Sequence, residues 1–160
     1  MKRFIKYILI SLVLLTVMPA FEAIAAQSAS GLPLPRFVSL RSGEVNMRTG
    51  PGVQYPVEWV YMRRDLPVEV IAEFETWRKV RDWEGTQGWI HQSMLSGKRG
   101  LIITGDVRNL RSKDDAKSPV VARLEPGVIA RLLDCTKGNG WCEIEVEGRK
   151  GWLRHVDFWG

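Results

Sequence analysis

The stretch VEVIAEFETWRKVRDWEGTQGWIH, residues 68–91, decides the fold. Its first part alternates: Val68, Val70, Ala72 and Phe74 fall on one face and Glu69, Ile71 and Glu73 on the other, the period of a half-buried strand. Residues 77–82 and 86–91 then flank Trp83-Glu84-Gly85 and read as the two arms of a hairpin. The same succession returns as strands at 128–133, 141–146 and 150–154, with Glu147-Gly148-Arg149 as the turn.

Working outward, the recurrence is systematic. Asn46-Met47-Arg48 answers to Asn109-Leu110-Arg111, Pro56-Val57 to Pro119-Val120, and Gly88-Trp89-Ile90 to Gly151-Trp152-Leu153, all at an offset of 63. Val70 answers to Leu132 at 62 and Trp77 to Trp141 at 64, small shifts of the kind loops tolerate. Two copies follow, residues 35–95 and 101–160, joined by Ser96-Gly97-Lys98-Arg99-Gly100. No stretch after residue 26 sustains a helical period, and Gly or Pro recurs at short intervals. The expected class is all-β, with two tandem small barrels of about five short strands each. So small a core fits both the use of Trp and the addition of a covalent staple.

Composition narrows the function classes. The chain has 160 residues, 45% hydrophobic and 26% charged, as in an ordinary globular protein. Its net charge of +5 includes +2 from Lys2, Arg3, Lys6 and Glu22, and a surplus that small does not point to nucleic acid. All seven Trp lie beyond residue 26. Residues 1–26 read as a secretory signal peptide: a basic head, an apolar run over 7–18, Pro19, and small residues at Ala23-Ile24-Ala25-Ala26. The run is too short for a stable membrane span, with an uncleaved anchor as the alternative. Residues 27–34, rich in Ser, Gly and Pro, read as a flexible leader. The mature protein is therefore expected to be periplasmic or secreted.

Export bears on Cys135 and Cys142, which flank a Gly-containing turn. In an oxidising compartment they most simply form a disulfide, with a free or redox-active pair as the alternative. The repeat places them on Glu73 and Arg78, so the first copy is expected to hold an opposed charge pair there, contributing at most about 1 kcal/mol if it is exposed.

Val45-Asn46-Met47-Arg48-Thr49-Gly50-Pro51-Gly52, the Met62-Arg63-Arg64-Asp65 turn, Trp77-Arg78-Lys79-Val80, and Gly88-Trp89-Ile90-His91 before Ser93-Met94-Leu95 resemble the bacterial SH3-like domain. The second copy keeps Leu124-Glu125-Pro126-Gly127 and Gly151-Trp152 but has Arg111-Ser112-Lys113-Asp114 in place of the Gly-Pro loop. The resemblance implies a barrel of five or six strands that binds peptides or wall polymer. Asn46, Arg48, Gly50 and Pro51 would shape the first loop, and Gly88 would permit a bend.

Catalytic residues, a metal site and cofactors are not expected. His91 and His155 have no counterpart histidine in the other copy, and Gly50-Pro51-Gly52 lacks the Lys-Ser/Thr of a phosphate loop. Ligand contacts are expected instead from Tyr55, Trp59, Tyr61 and Trp83, aromatics with polar tips on a surface. Trp77, Trp89, Trp141 and Trp152 recur between copies and are assigned to packing. Arg63 and Arg64 either contact an acidic ligand or form a solvated turn. The expected function is a non-enzymatic module recognising cell-wall peptide or peptidoglycan; the alternative is an adaptor that docks a segment of an envelope protein.

Overall fold

The computed structural model describes residues 28–160, so the signal segment lies outside the described residues. The first barrel contains β1 (Arg36–Leu40), β2 (Val45–Arg48), β3 (Val57–Tyr61), β4 (Pro67–Phe74), β5 (Trp77–Arg81), β6 (Gln87–His91), a single 3₁₀ turn and β7 (Leu95–Ser96). The second repeats it with β8 (Gly100–Ile103), β9 (Arg108–Arg111), β10 (Val120–Leu124), β11 (Ile129–Cys135), β12 (Trp141–Val146), β13 (Arg149–Arg154), a 3₁₀ turn and β14 (Phe158–Trp159). Strand orders β3-β2-β6-β5-β4-β1-β7 and β10-β9-β13-β12-β11-β8-β14 are the same order displaced by seven strands. All pairings are antiparallel, and the all-β, two-barrel expectation holds.

Each barrel closes on its own apolar cluster. Leu40, Val45, Met47, Val68, Val70, Val80 and Ile90 fill the first; Leu101, Leu110, Leu132, Ile144 and Leu153 fill the second. Gly88 and Gly151 let neighbouring strands pack closely. A Cβ on Gly88 would stand 2.5 Å from Met47 Cγ, and one on Gly151 2.6 Å from Leu110 Cγ, so any side chain there would displace the core.

A β-bulge corrects the simple alternation read for β4. The ladder with β5 slips between Val70 and Ala72, leaving Ile71 as the extra residue. Inward positions therefore pass from Val68 and Val70 to Glu73, and Phe74 emerges half-exposed. The second barrel carries the same bulge between Leu132 and Asp134, which brings Cys135 opposite Cys142. These two are joined as a disulfide.

The expected charge pair forms, and the bulge buries it. Glu73 and Arg78 are directly paired across β4 and β5, 3.1 Å apart, with side-chain exposures of 0% and 8%. Arg36 Nη2 adds a second ion pair to Glu73 at 2.5 Å. The backbone N–H and hydroxyl of Ser30 donate to the same carboxylate at 2.7 and 2.8 Å. Burial pushes the Glu73 carboxyl up, but Arg36, Ser30 and Arg78 outweigh it and hold it down at about 2. The Ser30 contacts fasten the chain to the first barrel from that point, and Leu34 packs on its core.

The barrels share an interior at their junction. Ile102 belongs to the first barrel's core, Ile129 and Trp159 pack against it, and Trp159 meets Phe37 edge to face at 4.8 Å. The Gly100 N–H donates to Ser39 Oγ at 2.8 Å. A Cβ on Gly100 would lie 2.4 Å from the Asp65 carbonyl oxygen, so only glycine lets the two backbones come this close.

Candidate binding surface

The hairpin of β2 and β3, with its tip at residues 49–56, carries most of the residues singled out for binding. The tip is held from within. Arg48 Nη1 donates to the carbonyls of Val53 at 3.2 Å and Tyr55 at 2.7 Å, and the Thr49 N–H donates to the Pro56 carbonyl at 3.1 Å. The Tyr55 ring lies over Gly50, where a Cβ would approach within 2.4 Å of it. The expected shaping roles of Arg48 and Gly50 thus have a physical basis: one satisfies loop carbonyls, the other makes room for the ring.

Tyr55 is 39% exposed and Trp59 52%, with Val53 and Val57 exposed beside them. Trp59 projects from the edge strand β3 opposite Met47. Its ring meets that of Tyr61 edge to face, centroids 6.5 Å apart.

Two of the four aromatics do not lie on the surface as expected. Tyr61 is only 4% exposed and belongs to the core. It follows Trp59 on the same side of β3 but lies deeper in the barrel, where its hydroxyl donates to Asp82 Oδ2 at 2.9 Å. Burial, then the Asp82 charge, push the Tyr61 phenol well above its ordinary value, so it remains a donor. Trp83 is half-buried and packs on the same core instead of standing free in its turn. The reason is Asp82, whose Oδ1 accepts the N–H groups of Glu84 at 3.0 Å and Thr86 at 2.8 Å and folds the turn back over the barrel. Asp82 was missed in the sequence; the Asp-x-x-Gly spelling of an Asx turn was its signal.

The packing assignment for the recurring Trp is also corrected. Trp77 is buried, but Trp89, Trp141 and Trp152 are half-buried, because Gly88 and Ile90, Cys142, and Gly151 and Leu153 respectively take the inward positions beside them. His91 is structural in its contacts: Nδ1 accepts from Ser93, 2.7 Å from its Oγ, and the ring packs on Trp77 at 5.3 Å.

The second barrel keeps the scaffold of this surface and lacks its aromatics. Arg111 Nη1 donates to the Ser118 carbonyl at 2.7 Å, as Arg48 does to that of Tyr55. Ala122 pairs with Leu110 where Trp59 pairs with Met47. At the positions of Tyr55 and Tyr61 stand Ser118 and Leu124, and Val146 replaces Asp82.

A family match agrees with this architecture. The family profile described as "Bacterial SH3 domain" matches residues 41–97 and again residues 105–160. The "Putative N-acetylmuramoyl-L-alanine amidase YrvJ" of Bacillus subtilis (strain 168) is 25% identical over 128 residues, which cover 69% of this chain and 24% of that protein. The chain thus spans about a quarter of the length of this curated relative. The solved structures of NlpC1 and NlpC2 from Trichomonas vaginalis are similar at 15% and 14% identity, covering 89% and 79% of this chain and 52% and 48% of theirs, with TM-scores of 0.36 and 0.35.

Proposed function

The chain belongs to the bacterial SH3 domain family, in two tandem copies, and from this premise we propose that it is an exported, non-enzymatic module that binds cell-wall peptide or peptidoglycan through the first barrel. The observation that carries the reading is the exposed pair Tyr55 and Trp59 on a hairpin whose tip is held by Arg48. A rigid aromatic surface binds with little entropic loss, and large exposed apolar rings are otherwise unfavourable in water. A relative named for its action on an N-acetylmuramoyl-L-alanine bond supports a wall ligand. A thiol nucleophile is disfavoured because Cys135 and Cys142 are bonded to each other.

The test is co-sedimentation with isolated peptidoglycan, comparing the wild type with Trp59→Ala and Tyr55→Ala. Both side chains are exposed, so the variants retain the fold. Sedimentation of the wild type that falls at least about tenfold in Trp59→Ala is the expected result, the size of a hot-spot truncation. Folded wild type that stays in the supernatant overturns the wall ligand and favours the adaptor that docks an envelope protein.

A further inference from the structure

The junction of the barrels opens into a cleft of about 580 Å³, within the size range of sites for small molecules and short peptides. It is separate from the Tyr55–Trp59 hairpin. The Arg63-Arg64-Asp65 turn of the first barrel and Lys98 and Arg99 of the linker line one part of it, while Val128, Ile129, Ala130, Arg131, Glu145 and Glu147 of the second barrel line another. Because Ile102 and Trp159 lock the barrels together, the cleft is preformed.

Its charges are unevenly committed. Arg131 is paired with Glu145, and Arg64 lies 4.0 Å from Asp65. Arg99 donates to the Gly160 carbonyl at 3.2 Å. Arg63 and Lys98 have no carboxylate within ion-pair distance among the described residues. Arg63 nevertheless reaches toward the second barrel: its Nη1 is 4.0 Å from where a Cβ on Gly127 would stand. Uncommitted cations therefore gather on the side of the first barrel and linker, the uncommitted carboxylate Glu147 belongs to the second barrel, and apolar Val128 and Ile129 complete the lining.

We propose that this cleft binds the terminal carboxylate of a short peptide. A carboxylate meets Arg63 and Lys98, with the guanidinium fork giving directional hydrogen bonds as well as charge. The peptide body covers the apolar lining, and Glu147 favours a cationic or hydrogen-bond-donating group at the other end. A polymer carrying repeated phosphates would meet Glu147 with like charge and leave the apolar lining unused.

The test is NMR titration of the isotope-labelled protein with trialanine as the free acid, trialanine as the C-terminal amide, and inorganic phosphate. The free acid is expected to shift the amides of Gly100, Ile129 and Ala130. Its affinity is expected to fall at least about tenfold on amidation, and equally in an Arg63→Ala plus Lys98→Ala variant, from loss of charge-assisted hydrogen bonds. Both residues are exposed, and the spectrum itself reports that the variant is folded. Gly100, Ile129 and Ala130 line the cleft and lie apart from the Tyr55–Trp59 hairpin, so failure of the wall reading leaves this result intact. Equal binding of acid and amide, binding of phosphate as tight as that of the free acid, or no shift up to about 10 mM peptide overturns the proposal.

Discussion

Reduction of the Cys135–Cys142 bridge is expected to weaken the second barrel far more than the first. The bridge joins directly paired residues of β11 and β12 at a sequence separation of 7. Cys142 is buried, and the reduced thiols would remain as small apolar groups on the same core, so packing changes little. The cost is then chiefly loop entropy: for a closed loop of about eight residues it amounts to about 2.5 kcal/mol at 25 °C. For a domain of this size that corresponds to a fall in melting temperature of about 10–20 °C. Amide hydrogen exchange with and without a phosphine reductant resolves the barrels separately. Leu132 and Ile144 should lose protection by about 2.5 kcal/mol. Val70 and Val80 should lose much less, since their barrel has Glu73 and Arg78 at the equivalent positions. Some loss should reach them, because Ile102 and Trp159 fill part of their core. Equal loss in both barrels, or none in the second, would refute the reasoning.

Three further outcomes follow from named contacts. Glu73→Gln leaves Arg36 and Arg78 without their buried partner and should cost about 3 kcal/mol at neutral pH, read from urea unfolding. Glu73 titrates at about 2 when folded against an ordinary 4.5, so its contribution is complete above pH 4.5 and is lost as pH falls from there toward 2; melts of wild type and variant should converge in that window. Tyr61→Phe strands the buried Asp82 Oδ2 and should cost about 1–3 kcal/mol, while Leu124→Met, at the matching apolar site, should cost under about 1.5 kcal/mol in the same denaturant assay. Gly100→Ala forces a Cβ against the Asp65 carbonyl and Ser39 Oγ and should part the barrels, lengthening the molecule in small-angle scattering; an unchanged profile would count against the shared interior.

The repeat and its strand periods were legible because they are written in local sequence. Asn46-Met47-Arg48 and Asn109-Leu110-Arg111 occupy matching strands, and the alignment of Cys135 and Cys142 with Glu73 and Arg78 is reproduced by strand pairing. What could not be read were features that depend on one displaced residue or on a distant partner. The bulge at Ile71 turns Glu73 inward and Phe74 outward, and strict alternation has no sign for it. Tyr61 looked like Trp59 because both are aromatic and two residues apart; only Asp82, 21 residues away, explains why one is core. The linker read as a simple connector, although its last residue, Gly100, bonds to Ser39 of the first barrel and Ile102, just beyond it, enters the first barrel's core.

The duplication also bears on where the ligand binds. Since both barrels share one backbone plan, a residue that merely folds the hairpin is needed in both, and Arg48 and Arg111 meet that test. Trp59 and Tyr55 do not: Ala122 and Ser118 stand in their places, and the hairpin folds without them. Folding therefore does not require an exposed indole at this position, and its presence in the first barrel alone needs another cause. The polar pair Tyr61 and Asp82 follows the same distribution. It fixes the strand that carries Trp59, where the second barrel, with no such side chain to orient, uses Leu124 and Val146. A buried hydrogen bond to a carboxylate is demanding in geometry and an apolar contact is not, so the barrel with the exposed aromatics is also the one whose hairpin is held to a defined orientation. This coincidence favours the first barrel as the seat of the proposed hairpin site.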